Sequence, residues 1–372
     1  MDADRYAFTV EWLDQQASLN RQFQLFYYHK PDGSNLIELI DIKNRKTFLK
    51  KCPYPSISID DLYIGARVTI YARQMTIVDY EDDFTRKRFE KKAARCFALV
   101  YGSSVRDLGQ IWSSISRDGM RIARLKMIDF SPSDAASLFP GSSFKGGLAV
   151  AMELIGENPY DRWARLAEVL RSSNGRGEGL WGAATGAAAS TCLDRVFGSL
   201  EKAGAGVSTA VAFQESKGPR RKVKPTDGRV PSALKSTATM AGDVTCVVLK
   251  PHLIGSGRGG EALEHLWEEA ERAGLRVTAI ELFDIDLRTA EEFHEIYKGV
   301  VPEYKAMTEE LAAGPFVALE LRGQDSVRIA RDIAGPMDVD VANRVRQGTL
   351  RSRFGIDNVR RQLPLCALVQ YH

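Results

Sequence analysis

Residues 93–372 carry one pattern twice. GMRIARLKMID (119–129) aligns with GLRVTAIELFD (274–284), VAMELIG (150–156) with VALELRG (317–323), and RWAR (162–165) with RIAR (328–331). A long stretch copied in this way is a structural unit copied, so both halves must accept the same chain path. Each copy opens on an apolar strand, Phe97 to Tyr101 or Val244 to Lys250. A helix follows, then the strand after the glycine, and later the strand that ends at Gly156 or Gly323. Strand–helix–strand followed by strand–helix–strand is the ferredoxin-like order. Two copies in one chain can also pair with each other as an internal pseudo-dimer.

The residues before the repeat read differently. Tyr6 to Trp12, Phe23 to Tyr28, Leu36 to Asp41, Ala66 to Tyr71 and Met75 to Val78 are short, aromatic and β-branched runs. Turns such as Lys30-Pro31-Asp32-Gly33 separate them. Strands at this spacing imply a small β barrel or sandwich. The expected class is α+β: an all-β module over 1–92, a first ferredoxin-like unit over 93–214, a linker over 215–240 and a second unit over 241–372. The linker, ESKGPRRKVKPTDGRVPSALKS (215–236), is basic and almost without apolar content. It cannot offset its ordering entropy alone, and Arg220, Arg221, Lys222 and Lys224 either stay solvated or lie on an acidic partner. Lys43, Arg45, Lys46, Lys50 and Lys51 form a second basic cluster, again either a solvated face or a partner contact.

Charge bounds the partners. With a net charge of only +3 the chain is not a general nucleic-acid binder. Its five cysteines have no C-x-x-C spacing, which favours reduced thiols over disulfides or zinc, and no cofactor or metal is expected. The N-terminus lacks a signal pattern, and no apolar run approaches the ~18 residues of a membrane span. A soluble, intracellular protein without membrane contact is expected.

Two resemblances sharpen this. GTLRSRFGIDNVRRQLP (348–364) resembles the signature of nucleoside diphosphate kinases, through Gly348, Thr349, Arg351, Phe354 and Gly355. The N-terminal module is similar to the DM-ten domain, a pleckstrin-homology-like barrel, through Glu11-Trp12, Tyr27-Tyr28, Ile64-Gly65, Tyr71-Ala72-Arg73 and Asp79-Tyr80 among others. A DM-ten domain followed by two kinase-type units resembles the homologue-seven branch of the nucleoside diphosphate kinase family. That resemblance implies residence in the axoneme of cilia or flagella, as an inner protein of doublet microtubules. The implied partners are α/β-tubulin, neighbouring doublet proteins and the γ-tubulin complex, and the implied location is the cytoskeleton.

The resemblance also implies where phosphates and base would lie. In the second copy Lys250, Arg331 and Arg351 face the phosphates with Thr349, and Phe293 and Tyr297, one turn apart in a helix pair from Thr289 to Ala312, lie by the base. These cations serve equally as ordinary ion-pair partners. Met337 replaces a phosphate-binding threonine, and His252 an aspartate. The phosphate-accepting histidine is replaced by Pro364 in this copy and by Thr185 in the first. Proline has no nucleophile, and a threonine without an adjacent base is a poor one. The first copy has also lost the phosphate-side lysine, reading Tyr101-Gly102-Ser103. It is about a dozen residues shorter between its two marker glycines, which leaves Ser131 to Gly146 as an expected loop. Among the other histidines, His252 lies nearest the site but on a different loop, while His265 and His294 fall within helices, in exposed or core roles. The expectation is a degenerate, non-catalytic kinase fold, with nucleotide sensing as the alternative.

Overall fold

Along the first strands, side chains alternate between core and solvent, and the chain curls accordingly. The computed structural model describes residues 4–14, 19–30, 32–55, 57–71, 73–92, 94–174, 179–198, 233–357 and 363–365. Strands β1 (Asp4–Asp14), β2 (Leu19–His29), β3 (Leu36–Asp41), β4 (Lys46–Pro53), β5 (Arg67–Ile70) and β6 (Arg73–Tyr80) form an antiparallel sheet in the order β4-β3-β2-β1-β6-β5. Phe23, Leu25 and Tyr27 of β2 are fully buried on one face, the period-2 pattern of a half-covered sheet. Helix α1 (Asp83–Lys92) closes the module, with the Phe89 ring 5.1 Å from both Tyr6 and Phe8. This is a pleckstrin-homology-like fold in which β4 and β5 remain edges. The basic run over 43–51, read from sequence only as a charge cluster, builds the turn into β4 and much of that strand.

The first repeat unit runs β7 (Ala94–Tyr101), α2 (Leu108–Arg117), β8 (Arg121–Phe130), α3 (Pro132–Leu138), β9 (Gly147–Gly156), α4 (Pro159–Asn174), β10 (Leu180–Gly182) and α5 (Gly186–Phe197). The second runs β11 (Val244–Leu249), α6 (Pro251–Gly255), α7 (Gly259–Arg272), β12 (Arg276–Phe283), α8 (Leu287–Phe293), α9 (Tyr304–Leu311), β13 (Phe316–Arg322), α10 (Ser326–Ala334), α11 (Val339–Val345), α12 (Leu350–Phe354) and β14 (Leu363–Leu365). The expected loop over Ser131–Gly146 is corrected by α3. Ser131 caps this helix by accepting from the Asp134 amide at 3.1 Å, and Pro132 presets its first turn.

The two units share one eight-stranded sheet, β10-β7-β9-β8-β12-β13-β11-β14, which is the ferredoxin-like order on each side of a central seam. At the seam β8 meets β12 with Lys126 opposite Glu281, and their side chains pair at 3.2 Å. Helices α2 and α7 cross beneath it at two glycines: a Cβ on Gly109 would lie 2.6 Å from the Glu264 amide, and one on Gly260 2.6 Å from the Gly109 carbonyl. One apolar core runs through both units on that face, from Leu108, Ile111 and Trp112 to Leu263, Leu266 and Trp267. Residues 233–243 strap the opposite face. Thr237 donates its amide to the Met127 carbonyl and its hydroxyl to the Thr278 carbonyl, one on each side of the seam. The pairing is an internal pseudo-dimer.

The β-module docks through β5 and β6. Arg67 donates to the Asp284 carbonyl at 3.0 Å, Gln74 to the Ile285 carbonyl at 3.1 Å, and Arg95 of β7 to the Ile64 carbonyl at 2.7 Å.

Candidate functional site

At the end of β11 the chain turns sharply into α6, with Lys250 at the N-cap and Pro251 in the first turn. Lys250 is fully buried. Beside it His294, which ends α8, is fully buried as well. Its Nδ1 lies 3.3 Å from Thr308 Oγ1, and that hydroxyl donates its own hydrogen to the Tyr304 carbonyl at 2.8 Å. The threonine oxygen can therefore only accept, which places the imidazole hydrogen on Nδ1 and leaves Nε2 bare. Nε2 is buried with no hydrogen-bond partner among the described residues. Burial, and secondarily the Lys250 charge, push the imidazole down to about 4, so it is neutral at physiological pH.

Phe293 and Tyr297 pack near this imidazole, with centroids 5.3 and 6.1 Å away. The expected helix pair over Thr289–Ala312 is present as α8 and α9, but Phe293 and Tyr297 do not share a helix. Helix α8 stops at Phe293, Tyr297 closes a one-turn 3-10 segment, and Gly299 at φ +77° turns the chain toward α9. Phe293 remains about one-third exposed and Tyr297 is half-buried.

A second group forms around the glycine-threonine turn. Arg351 on α12 is buried and donates from Nη1 to the Gly335 carbonyl. Thr349 stands at the N-cap position of the same helix, but its hydroxyl is turned away from the helix amides and donated to the Arg346 carbonyl at 2.9 Å. Gly335, at φ +84°, sits so close that a Cβ there would strike Thr349 Oγ1. Arg331, in the last turn of α10, is exposed, and Met337 is half exposed. His265 of α7 pins this turn: its Nε2 lies 2.8 Å from the Gly348 carbonyl, and Nδ1 accepts from Arg353 at 2.9 Å. A carbonyl on one side and a guanidinium on the other fix its hydrogen on Nε2. That role was not read from the sequence, because its partners lie more than eighty residues away.

His252 is held by Glu310, 2.9 Å from its Nδ1, between α6 and α9. In the first copy Tyr101, which stands in the aligned place of the lysine, packs its ring 4.9 Å from the buried Phe144 and bonds to Ser143 at 2.8 Å. Thr185 is the N-cap of α5 and accepts from the Ala188 amide at 3.3 Å. Pro364 lies in β14 opposite Val247. Lys43, Arg45, Lys46, Lys50 and Lys51 are all exposed, whereas Arg220, Arg221, Lys222 and Lys224 fall outside the described residues. A wide cleft opens between the β-module and the pseudo-dimer, lined by Tyr63, Arg67, Gln74, His252 and Asp284. It contains none of Lys250, Phe293, Tyr297, Arg331, Thr349 or Arg351. Among the described residues no cluster of three or more histidine, cysteine or carboxylate groups is arranged to hold a metal ion. No described helix is long and apolar enough to cross a membrane.

A pleckstrin-homology-like module joined to paired ferredoxin-like units defines a protein of the nucleoside diphosphate kinase class. Residues 1–91 match the family model described as the nucleoside diphosphate kinase 7 N-terminal PH domain, and residues 243–363 match nucleoside diphosphate kinase. Nucleoside diphosphate kinase homolog 7 of Rattus norvegicus is 32% identical over 366 residues, covering 95% of this chain and 87% of the relative. That of Mus musculus is 31% identical with the same coverage. A nucleoside diphosphate kinase of Aquifex aeolicus is 30% identical over 118 residues, 32% of this chain and 80% of its own. The chain belongs to the nucleoside diphosphate kinase homolog 7 family.

Proposed function

We propose that this protein is a non-catalytic structural component of ciliary and flagellar doublet microtubules. In this reading it is an inner protein of the microtubule wall that binds α/β-tubulin and neighbouring doublet proteins, with the γ-tubulin complex as a further partner. The observation that carries it is the chemistry at the two positions where a phosphate would have to rest. Pro364 has no nucleophile, and the Thr185 hydroxyl caps a helix, where it accepts from the Ala188 amide. Ping-pong transfer needs a side chain that takes the phosphoryl group, keeps it labile and passes it on. The nearby histidines are otherwise engaged: His252 by Glu310, His265 by Gly348 and Arg353, and His294 by burial. A fold relieved of turnover is free to serve as a building block, and three docked modules supply a large surface.

Two measurements test this. Purified protein incubated with γ-labelled ATP should retain no label. A label stable in alkali and lost in acid would mark a phosphohistidine and overturn the non-catalytic reading. The full chain should also sediment with purified doublets; remaining in the supernatant at every ionic strength would remove the microtubule reading.

The second reading is nucleotide binding without turnover through Lys250, Phe293, Tyr297, Arg331, Thr349 and Arg351. Retention of these residues favours it, while the buried Lys250 and the engaged Arg351 weigh against it. Calorimetric titration with ADP and GTP separates the two, since binding heat that disappears in Arg351→Ala belongs only to the sensor.

A further inference from the structure

We propose that the free edge strand β4, with the turn before it, is a docking surface for an acidic polypeptide segment, with Phe48 as its apolar anchor. This deepens the scaffold reading by assigning a surface and a partner chemistry to it. The two edges of the N-terminal sheet have different fates. Strand β5 is occupied, because Arg67 and Thr69 bond to carbonyls of the second repeat unit. Strand β4 lies at the opposite edge of the same sheet and pairs on one side only, with β3.

The charge on that edge is unusual for this chain. Lys43, Arg45, Lys46, Lys50 and Lys51 are exposed within nine residues that contain no acid. None of the five pairs with a described carboxylate within 4.0 Å, whereas Arg67, Arg95, Arg121, Arg124 and Arg162 all do. The nearby acids are committed elsewhere: Asp41 holds the amide and side chain of Asn44 at 2.8 and 2.9 Å, and Glu38 accepts from Tyr28 at 2.9 Å. With a net charge of only +3 on the whole chain, these five cations are a local concentration rather than a general excess. Phe48 is 44% exposed in their midst, and Ile42, 40% exposed, sits at the start of the turn.

Lysines on an edge strand also serve to prevent strand pairing. Here that need is already met by two irregularities in the β3–β4 register, at Ile37/Leu39 and Leu39/Ile40. The same irregularities limit any added strand to short pairing, so affinity must come mainly from charge. A polypeptide fits better than a single-stranded nucleic acid, because the Phe48 ring packs on Phe23 at 4.7 Å and under Arg73 at 5.3 Å, which leaves part of its surface for an apolar side chain rather than a free face for a stacked base. It fits better than a lipid surface because a sheet edge offers backbone donors and acceptors in register, which headgroups do not match.

The test uses the full chain and a fluorescein-labelled, glutamate-rich peptide read by anisotropy, with a glutamine-substituted peptide as control. The expected result is binding of the acidic peptide only, weakening as salt rises from roughly 50 to 300 mM. The triple variant Lys46→Glu/Lys50→Glu/Lys51→Glu should weaken it by about tenfold or more with unchanged Tm, and should gain binding to a lysine-rich peptide. Phe48→Ser should weaken it too, while alanine at Arg220, Arg221, Lys222 and Lys224 should not. Unchanged affinity in the triple variant overturns the proposal. Competition by phosphatidylserine vesicles or oligo-dT at lower concentrations than the peptide also overturns it, and reassigns the surface. Sedimentation of the triple variant with doublets despite lost peptide binding sinks this surface alone; a peptide that binds a chain which never sediments sinks the doublet reading alone.

Discussion

Two adjacent residues, Phe293 and His294, illustrate what a sequence reveals and what it hides. An aromatic beside the base-side helix is visible in the letters, but the state of His294 is not, because it depends on Thr308 fourteen residues on and on Lys250 across the fold. That state has a measurable consequence. The imidazole is depressed to about 4 in the folded protein against an ordinary value near 6.5. The unfolded chain therefore binds more protons between those values, so the contribution is present above about pH 6.5 and is lost as pH falls toward 4. His294→Leu removes the titration and the bare Nε2 while keeping the packing volume. The wild type should lose about 2 kcal/mol more than this variant between pH 7 and 4.5 in urea melts. Parallel losses would mean that His294 is not buried neutral. The assignment of Thr185 and Pro364 to the phosphate-accepting positions, by contrast, belongs to the functional proposal and rests on the sequence, and the structure adds only their places at the N-cap of α5 and in β14.

Elements followed from the letters where periodicity carried them, and slipped where a local device decided. The ferredoxin-like order of both units came from the repeat alone. Helix α3 did not, because a copy shorter by about a dozen residues points to loss of helix, although Ser131-Pro132 with Asp134 is a capping signal in its own right. The expected 289–312 helix pair is present as α8 and α9, but Tyr297 falls on neither, because α8 ends at Phe293 and a 3-10 turn and Gly299 at positive φ carry the chain between them. The crossing of α2 and α7 is a close backbone-to-backbone contact between elements. Gly109→Val or Gly260→Val would push a branched side chain against backbone at 2.6 Å, and neither helix can yield without opening the common core. We expect a loss of about 3 kcal/mol or more for either variant in urea unfolding, against about 1 kcal/mol or less for Gly255→Val at an uncrowded position. Equal effects at the three sites would show that the crossing is not tight.

At the scale of the molecule, the doubling was legible and its geometry was not. Nothing in the letters says that the copies meet edge to edge, because the contact is made by glycines at a helix crossing, by a common apolar core, by the Lys126–Glu281 and Arg106–Glu271 pairs and by a strap from the linker's end. One core through both copies leads us to expect that they unfold in a single transition; two transitions, each removing one half's signal, would contradict it. The β-module is a separate case, because its latch to the second copy is largely polar. Asp284 is the charged group at its centre, with Arg67 Nε at 3.9 Å, Gln74 Nε2 at 3.5 Å, and Tyr63, Glu153, Arg95 and Arg121 in the same electrostatic neighbourhood. Burial raises its carboxyl to about 6 and the Arg67 charge only partly opposes this, so between about pH 4 and 6 the docked state holds a proton that an exposed carboxyl would release. A carboxylate with a raised value stabilises docking below its ordinary value near 4, and this contribution fades as pH rises through 6. The visible ion pair is thus a net cost at neutral pH, as a desolvated pair with a long contact can be. Asp284→Asn keeps the acceptor for Gln74 and removes the charge. It should tighten docking at pH 7 by on the order of 1 kcal/mol and flatten its pH dependence between 4 and 6, read as slower amide exchange in β5 and β6. Faster exchange in the variant at pH 7 would mean that the Arg67–Asp284 attraction outweighs the burial of the carboxylate.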